Sequence, residues 1–199
     1  MKNNLLSMFN AGLYAVFLQN LVFSGGFGTT EAIRTAKKNG RLLSASLAIS
    51  LFSAVTTVIC QLLTTLPRLA TLPFIWLAAL YGGVLLGLYL LAAGLSVLLP
   101  LPRKTLVLRR IGMYCLNTIV FAVPLLSFRL GYSIFQGLAY GLTAGLAFAA
   151  ATLLINAGMA TLRENKAIPP MFFGLPATLI YTGLLALAFT GFTGAPLTF

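Results

Sequence analysis

Long apolar runs alternate with short polar connectors along the whole chain. By hydropathy the runs predict six membrane-spanning helices, at residues about 5–27, 42–66, 72–99, 111–128, 133–160 and 171–193. Each is near or above the ~20 apolar residues that cross a bilayer as a helix. Lipid offers no partner to backbone polar groups, so spans are helices or closed barrels, and these runs are too continuous for barrel strands. We therefore expect an all-α polytopic membrane protein, with one membrane domain over residues 1–199.

Composition supports this class. Hydrophobic residues make up 59% of the chain and charged residues 8%, and the mean hydropathy is +0.99, well outside the balance of soluble domains.

A cleaved signal peptide is the alternative for the N-terminus, since Lys2 precedes an apolar stretch. The stretch has no small-residue cleavage motif, and Gln19 and Asn20 interrupt it, so we expect residues 5–28 to belong to the mature protein.

The net charge of +11 is concentrated in three connectors. No aromatic-rich soluble domain presents these charges, so nucleic acid is not an expected partner. The basic residues of the first, third and fifth connectors are Arg34, Lys37, Lys38, Arg41, Arg103, Lys104, Arg109, Arg110, Arg163 and Lys166. The second and fourth connectors have only Arg68 and Arg129. The positive-inside rule then predicts odd connectors in the cytoplasm and both termini outside the plasma membrane.

The two halves of the chain resemble each other at a constant offset. Residues 20–23 (NLVF) match 117–120 (NTIV), and 72–76 (LPFIW) match 169–173 (PPMFF), both 97 positions apart. A repeat of three spans is odd in number, so its second copy crosses the membrane in the opposite sense. We expect two inverted three-helix repeats, about 1–100 and 101–199. The alternative is chance similarity between apolar segments.

The first helix of each predicted repeat contains helix-breaking residues. In "LQNLVFSGGFG" Asn20 is followed by Gly25 and Gly26, and in "NTIVFAVP" Asn117 is followed by Pro124. Glycine permits positive φ, and proline cannot donate a helix hydrogen bond. Broken helices of inverted-repeat proteins line their functional sites, so a central site is predicted here. The alternative is a tolerated kink with ordinary glycine packing.

Few residues are suited to catalysis. The only two carboxylates are Glu31 and Glu164. We expect Glu31 to pair with Arg34 one helical turn away; the alternative is an intramembrane ion site. Cys60 and Cys115 are predicted to be buried small residues rather than a disulfide. No catalytic residue, metal-ligand cluster or phosphate-binding loop is predicted.

Three stretches carry a family resemblance. "TLRENKAIPPMFFGLPATLIYTGLLALAFTGFTG" has an Arg-Glu pair, a proline-containing connector and an "AFxGFxG" ending; "LNTIVFAV" is similar to "TNC(I/A)V(M/L)G"; and "FSGGFGTTEAIRTA" is similar to "CxxLxVTxxLETA". With these motifs the chain resembles the A/E-type, and the related D-type, integral membrane subunits of the Rnf and Nqr ion-translocating electron-transfer complexes. The resemblance covers nearly the whole chain.

The resemblance implies a homologous six-helix partner of opposite topology, together with other redox subunits of the complex. In this family each of the two partners contributes two cysteines from its broken helices to a shared [2Fe–2S] cluster. Here the family cysteines fall on Thr118 and on Phe23 or Ser24, which are not thiolate ligands. These three residues join Asn20, Gly25, Gly26 and Asn117 in the predicted central site. We expect no cofactor bound by this chain alone; the alternative is a shared cluster that uses Cys115.

The expected function follows from the resemblance. It is that of a non-catalytic membrane subunit of an Rnf/Nqr-like complex, a diverged and cluster-free half of a pseudo-symmetric membrane core. The alternative is a stand-alone secondary transporter of an ion or small solute, because inverted repeats with broken helices are also the plan of transporters.

Overall fold

The computed structural model describes residues 2–18, 20–37, 39–98 and 104–193, and every regular element in these ranges is helical. The helices are α1 Lys2–Leu13, α2 Leu21–Ser24, α3 Thr29–Ala36, α4 Leu42–Thr64, α5 Pro67–Ala70, α6 Phe74–Leu98, α7 Lys104–Cys115, α8 Thr118–Arg129, α9 Ile134–Glu164 and α10 Leu175–Thr193. A π-helical turn over Tyr14–Leu18 extends α1. The predicted all-α class is confirmed. Gln19, Lys38 and Arg103, which the sequence analysis named, lie outside the described residues.

Four of the described segments are long and apolar enough to cross a membrane: Leu42–Thr64, Phe74–Leu98, Lys104–Arg129 and Ile134–Glu164. Two shorter apolar helices, Leu6–Val16 and Leu175–Gly191, lie where the first and sixth spans are predicted. The chain is therefore a multi-pass membrane protein, as its hydropathy predicts.

Helices α4, α6 and α9 lie close to the predicted second, third and fifth spans. The predicted fourth span begins too late, because α7 already starts at Lys104 and carries Arg109 and Arg110. A hydropathy average excludes charged residues from a predicted span. Long basic side chains can nevertheless keep their charged groups in water while their backbone is part of the helix. The sixth span begins later than predicted, since Gly174, with φ 89°, precedes α10.

Helices α4 and α9 form the centre of the molecule and pack against each other along most of their length. Small residues make this close approach possible. A Cβ on Gly141 would lie 2.6 Å from the Cα of Ala54, and one on Gly145 would collide with the Ser46 carbonyl and the Ser50 hydroxyl. Small residues are the usual means by which membrane helices bring their backbones together.

The remaining helices surround this pair. Helices α1, α3 and α8 contact α9, α6 packs on α7 and α8, and α10 packs on α2 and α9. The outer faces of α6 and α10 expose large apolar side chains, among them Leu90, Leu91, Leu95, Leu184 and Leu187. A contiguous apolar surface of this kind suits a lipid environment.

The connectors lie at two opposite ends of the molecule. Basic residues of the first and third connectors line one cavity, and Lys37 and Arg163, from the first and fifth, line another. At the other end, Thr65 after α4 shares a cavity with Gly131 and Ser133 before α9. Connectors that the charge count assigns to one side of the membrane therefore meet in space.

Candidate site at the helix breaks

The first break covers residues 20–28 and contains the short helix α2. Asn20 stabilises its start. Its Oδ1 accepts a hydrogen bond from the Val22 backbone N–H at 3.1 Å, which caps α2, and its Nδ2 donates to the Ala147 carbonyl of α9 at 3.1 Å. Asn20 is only 1% exposed. A buried amide in such a place must be hydrogen-bonded to be tolerated, and here it also attaches the break to the central helix.

The second break has the same cap. Between α7 and α8, the Oδ1 of Asn117 accepts a hydrogen bond from the Ile119 N–H at 3.0 Å. The prediction that Pro124 interrupts this helix is wrong, because α8 continues through Pro124 to Arg129. The break lies at Leu116 and Asn117, where the asparagine side chain replaces the missing helix hydrogen bond.

A direct hydrogen bond joins the two breaks. The backbone N–H of Gly28 donates to the Thr118 Oγ1 at 2.8 Å, across 90 positions of sequence. Gly26 and Gly28 have φ of 68° and 72°, a region that strongly favours glycine. A Cβ on Gly28 would also lie 2.5 Å from the Cδ1 of Ile119. The close contact therefore depends on glycine at position 28.

A cavity of about 400 Å³ lies between the breaks. Its lining includes Gly26, Gly28, Glu31, Gly112, Asn117 and Thr118. The Nδ2 of Asn117 is buried without a hydrogen-bond partner. The structure thus brings Gly26, Asn117 and Thr118 of the predicted site together around one cavity.

The other predicted site residues do not line this cavity. Asn20 points its amide at α9. Phe23 is buried against Phe189, with ring centroids 4.6 Å apart. Ser24 is exposed and donates from Oγ to the Asn20 carbonyl at 2.8 Å. Gly25 has φ −120°, so it does not use the left-handed region that the sequence analysis attributed to it.

Glu31 lies at the end of the site nearest the basic connectors. Its carboxylate forms the predicted ion pair with Arg34, at 3.0 Å. Burial raises the pKa of Glu31 above its ordinary value of 4.5, while the Arg34 guanidinium opposes that shift. Glu31 and Arg34 line both the cavity at the breaks and a neighbouring cavity of about 430 Å³.

Sequence reasoning did not assign three residues of this cavity to the site: Gly112 and Met113 on α7, and Leu116 at the break. A signal for two of them was present. Met113 precedes Asn117 by four positions and Gly112 precedes Leu116 by four, which places each pair on one helical face when α7 is extended to the break. These positions lie inside the predicted fourth span, 111–128, but no family cysteine position marks them.

The residues at the breaks do not fit an iron–sulfur cluster. Clusters of this class need four cysteines or a cysteine and histidine set, and the chain has no histidine. Cys115 is buried in the main core and Cys60 in a separate apolar cluster with Leu77 and Tyr81. The Thr118 hydroxyl oxygen already accepts a hydrogen bond from the Gly28 backbone N–H. Within the described ranges, no three His, Cys, Asp or Glu side chains are grouped as metal ligands.

These features define a polytopic α-helical membrane protein whose two interrupted helices line one cavity. The chain is 37% identical over 78 residues to the A subunit of the ion-translocating oxidoreductase complex of Colwellia psychrerythraea, covering 39% of this chain and 40% of the relative. It is 39% identical over 90 residues to the A subunit of the proton-translocating ferredoxin:NAD(+) oxidoreductase complex of Clostridium ljungdahlii, covering 42% and 45%. These two matches span less than half the length of the relatives.

A third relative matches almost from end to end. The A subunit of the Na(+)-translocating ferredoxin:NAD(+) oxidoreductase complex of Acetobacterium woodii is 26% identical over 196 residues, 92% of this chain and 95% of the relative. No protein-family model matches the chain. The similarity to ion-translocating electron-transfer complexes that the three motifs predict is confirmed, and these three relatives are all A subunits.

Proposed function

We propose that the chain is a membrane subunit of an ion-translocating electron-transport complex of the Rnf type, in the place that the A subunit takes in its relatives. The observation that carries the proposal is the similarity to the Acetobacterium protein over 92% of the chain. In the proposal this role is non-catalytic. The hydrogen bonds at the breaks come from backbone, amide and hydroxyl groups, and the ion pair of Glu31 with Arg34 lies at the edge of the site.

The second part of the proposal is the architecture. The six spans form two inverted repeats, about 1–100 and 101–199, with both termini outside. Supporting it, Asn20 and Asn117 cap their half-helices in the same way at the 97-residue offset. Helices α4 and α9, which correspond at that offset, pack together at the centre of the molecule. Such a half would pair with a homologous six-helix protein of opposite topology.

The third part concerns electron transfer. Where the relatives suggested by the motifs have cysteine, this chain has Thr118 and either Phe23 or Ser24, and a hydrogen bond from Gly28 to Thr118 joins the two breaks directly. In the proposal this half of the core is cluster-free and redox groups belong to partner subunits. Its contribution is to hold the membrane core together beside the path of the ion.

The test is anaerobic purification of the tagged chain from its native membrane, followed by identification of co-purifying proteins. A six-span homologue together with flavin- or iron-containing subunits is the expected result. A chain that purifies alone, and that moves an ion or solute when reconstituted in vesicles, would instead be a transporter.

Iron and acid-labile sulfide in the same preparation test the cluster-free part. Cys115→Ser and the matched control Cys60→Ser should leave the iron content of the complex unchanged. Loss of iron in Cys115→Ser alone would show that Cys115 ligates a shared cluster, and the third part of the proposal would be wrong.

A further inference from the structure

The cavity of about 430 Å³ beside the helix breaks is strongly basic. It is lined by Arg34 and Arg41 from the first connector and by Arg109 and Arg110 on α7. The only carboxylate in its lining is Glu31. Two connectors far apart in sequence thus place four guanidinium groups around one space.

Among the described residues, one side-chain ion pair offsets one of these four charges. Arg34 is paired with Glu31, whereas Arg41, Arg109 and Arg110 have no ion-pair partner among the described residues. Glu164 is the only other carboxylate side chain in the sequence, and it lies at the end of α9, outside the lining. Like charges at close range repel, so a cavity of this kind favours an anion.

An apolar groove adjoins the basic cavity. Arg34 and Lys37 border a second cavity of about 390 Å³ whose lining includes Ile33, Leu175 and Leu179. The two leucines are each 52% exposed. A cluster of cations next to an open apolar groove between helices matches the two parts of a lipid, its charged head group and its acyl chain.

We propose that this surface is a binding site for an anionic phospholipid. The phosphodiester lies in the basic cavity near Arg41, Arg109 and Arg110, and an acyl chain follows the groove along Leu175 and Leu179. Guanidinium groups match phosphate oxygens in planar, bidentate geometry. Basic pockets between membrane helices on the cytoplasmic side commonly take such head groups. The proposal stands whether or not the chain belongs to an electron-transport complex.

The experiment uses the full chain in a neutral detergent, with native mass spectrometry and thermal unfolding as readouts. Phosphatidylglycerol, phosphatidylcholine and inorganic phosphate are added separately at equal concentration. The expected result is that phosphatidylglycerol alone stays bound and raises the unfolding midpoint. Equal retention of phosphatidylcholine would overturn the anionic site, and full stabilisation by inorganic phosphate would overturn the lipid as its occupant.

Substitutions locate the site. Arg109→Gln/Arg110→Gln should weaken phosphatidylglycerol retention by ~10-fold or more, on the scale of about 1 kcal/mol for each basic residue near an anionic lipid surface. The matched control Arg68→Gln/Arg129→Gln removes two charges from the opposite connectors and should have no effect. Equal losses in both variants would place binding elsewhere.

Two further variants keep the test decisive if Arg109→Gln/Arg110→Gln does not fold. Arg109→Lys/Arg110→Lys retains the charge and should keep most of the lipid selectivity. Arg41→Gln removes one guanidinium from the other connector and should weaken retention on its own. Unchanged retention in Arg41→Gln would contradict the assignment of the head group to this cavity.

Discussion

At the scale of single residues, the two capping asparagines differ in one respect. Both use Oδ1 to cap a half-helix, but the Nδ2 of Asn20 donates to Ala147 whereas the Nδ2 of Asn117 is buried without a partner. A buried donor without a partner is costly, and its removal recovers part of the loss caused by removing the cap. The two caps are therefore alike in geometry but not in energy.

From this difference we expect Asn20→Ala to destabilise the protein more than Asn117→Ala. Each loses a cap worth about 0.5–2 kcal/mol, and Asn20→Ala also loses a buried hydrogen bond worth about 0.5–1.5 kcal/mol. The free energy of unfolding, measured by denaturant titration in detergent micelles, checks the order. A larger loss in Asn117→Ala would mean that its Nδ2 has a partner in the membrane.

Gly28 provides a second prediction at this scale. Gly28→Ala should destabilise the fold by about 1–2 kcal/mol from its positive φ and a further ~1–3 kcal/mol from contact with Ile119. Gly26→Ala is the matched control, since Gly26 has a similar φ, 68°, and open space around it. Thermal unfolding of both variants separates the two effects. Equal losses would show that the Gly28–Ile119 contact relaxes without cost.

At the scale of helices, the sequence predicts long elements well and breaks poorly. Helices α4, α6 and α9 follow from their apolar length alone. The sequence pattern favours a break at Pro124, but the break lies at Asn117, because a cap is a local side-chain bond and packing on α4 and α9 holds α8 together through the proline. Asparagine at a helix start is the better signal.

The interface between α4 and α9 gives the prediction at this scale. Gly141→Ala should destabilise the protein by about 1–3 kcal/mol, because the new methyl group would meet the backbone of Ala54, which cannot rotate away. Gly87→Ala on α6 is the control, since nothing lies within 4 Å of its added Cβ. Its unfolding midpoint should stay the same or rise slightly, given the better helix propensity of alanine. A midpoint for Gly141→Ala that equals the wild-type value would mean that the two helices can separate without cost.

At the scale of the whole molecule, charge counting predicts the side of the membrane on which a connector lies, and the tertiary structure shows which connectors are in contact. Counting basic residues places the first, third and fifth connectors on one side, and the structure brings them together at one end. Counting could not predict that Arg41 and Arg110 share a cavity, because Arg41 directly precedes α4 and Arg110 lies on α7, and the cavity depends on how these two helices pack together. The polar lining of the breaks could not be predicted by counting either, because Gly28 and Thr118 are in contact only in the folded chain.

The orientation of the whole molecule is the last prediction. Arg68→Cys and Arg163→Cys place a thiol on exposed residues of an even and an odd connector. If the basic connectors face the cytoplasm, a membrane-impermeant maleimide should label Arg68→Cys in intact cells and Arg163→Cys only after permeabilisation. The wild-type chain is the control, because Cys60 and Cys115 are both fully buried and should not react. The reverse labelling pattern would place both termini in the cytoplasm, and labelling of both variants in intact cells would contradict the alternation of the connectors.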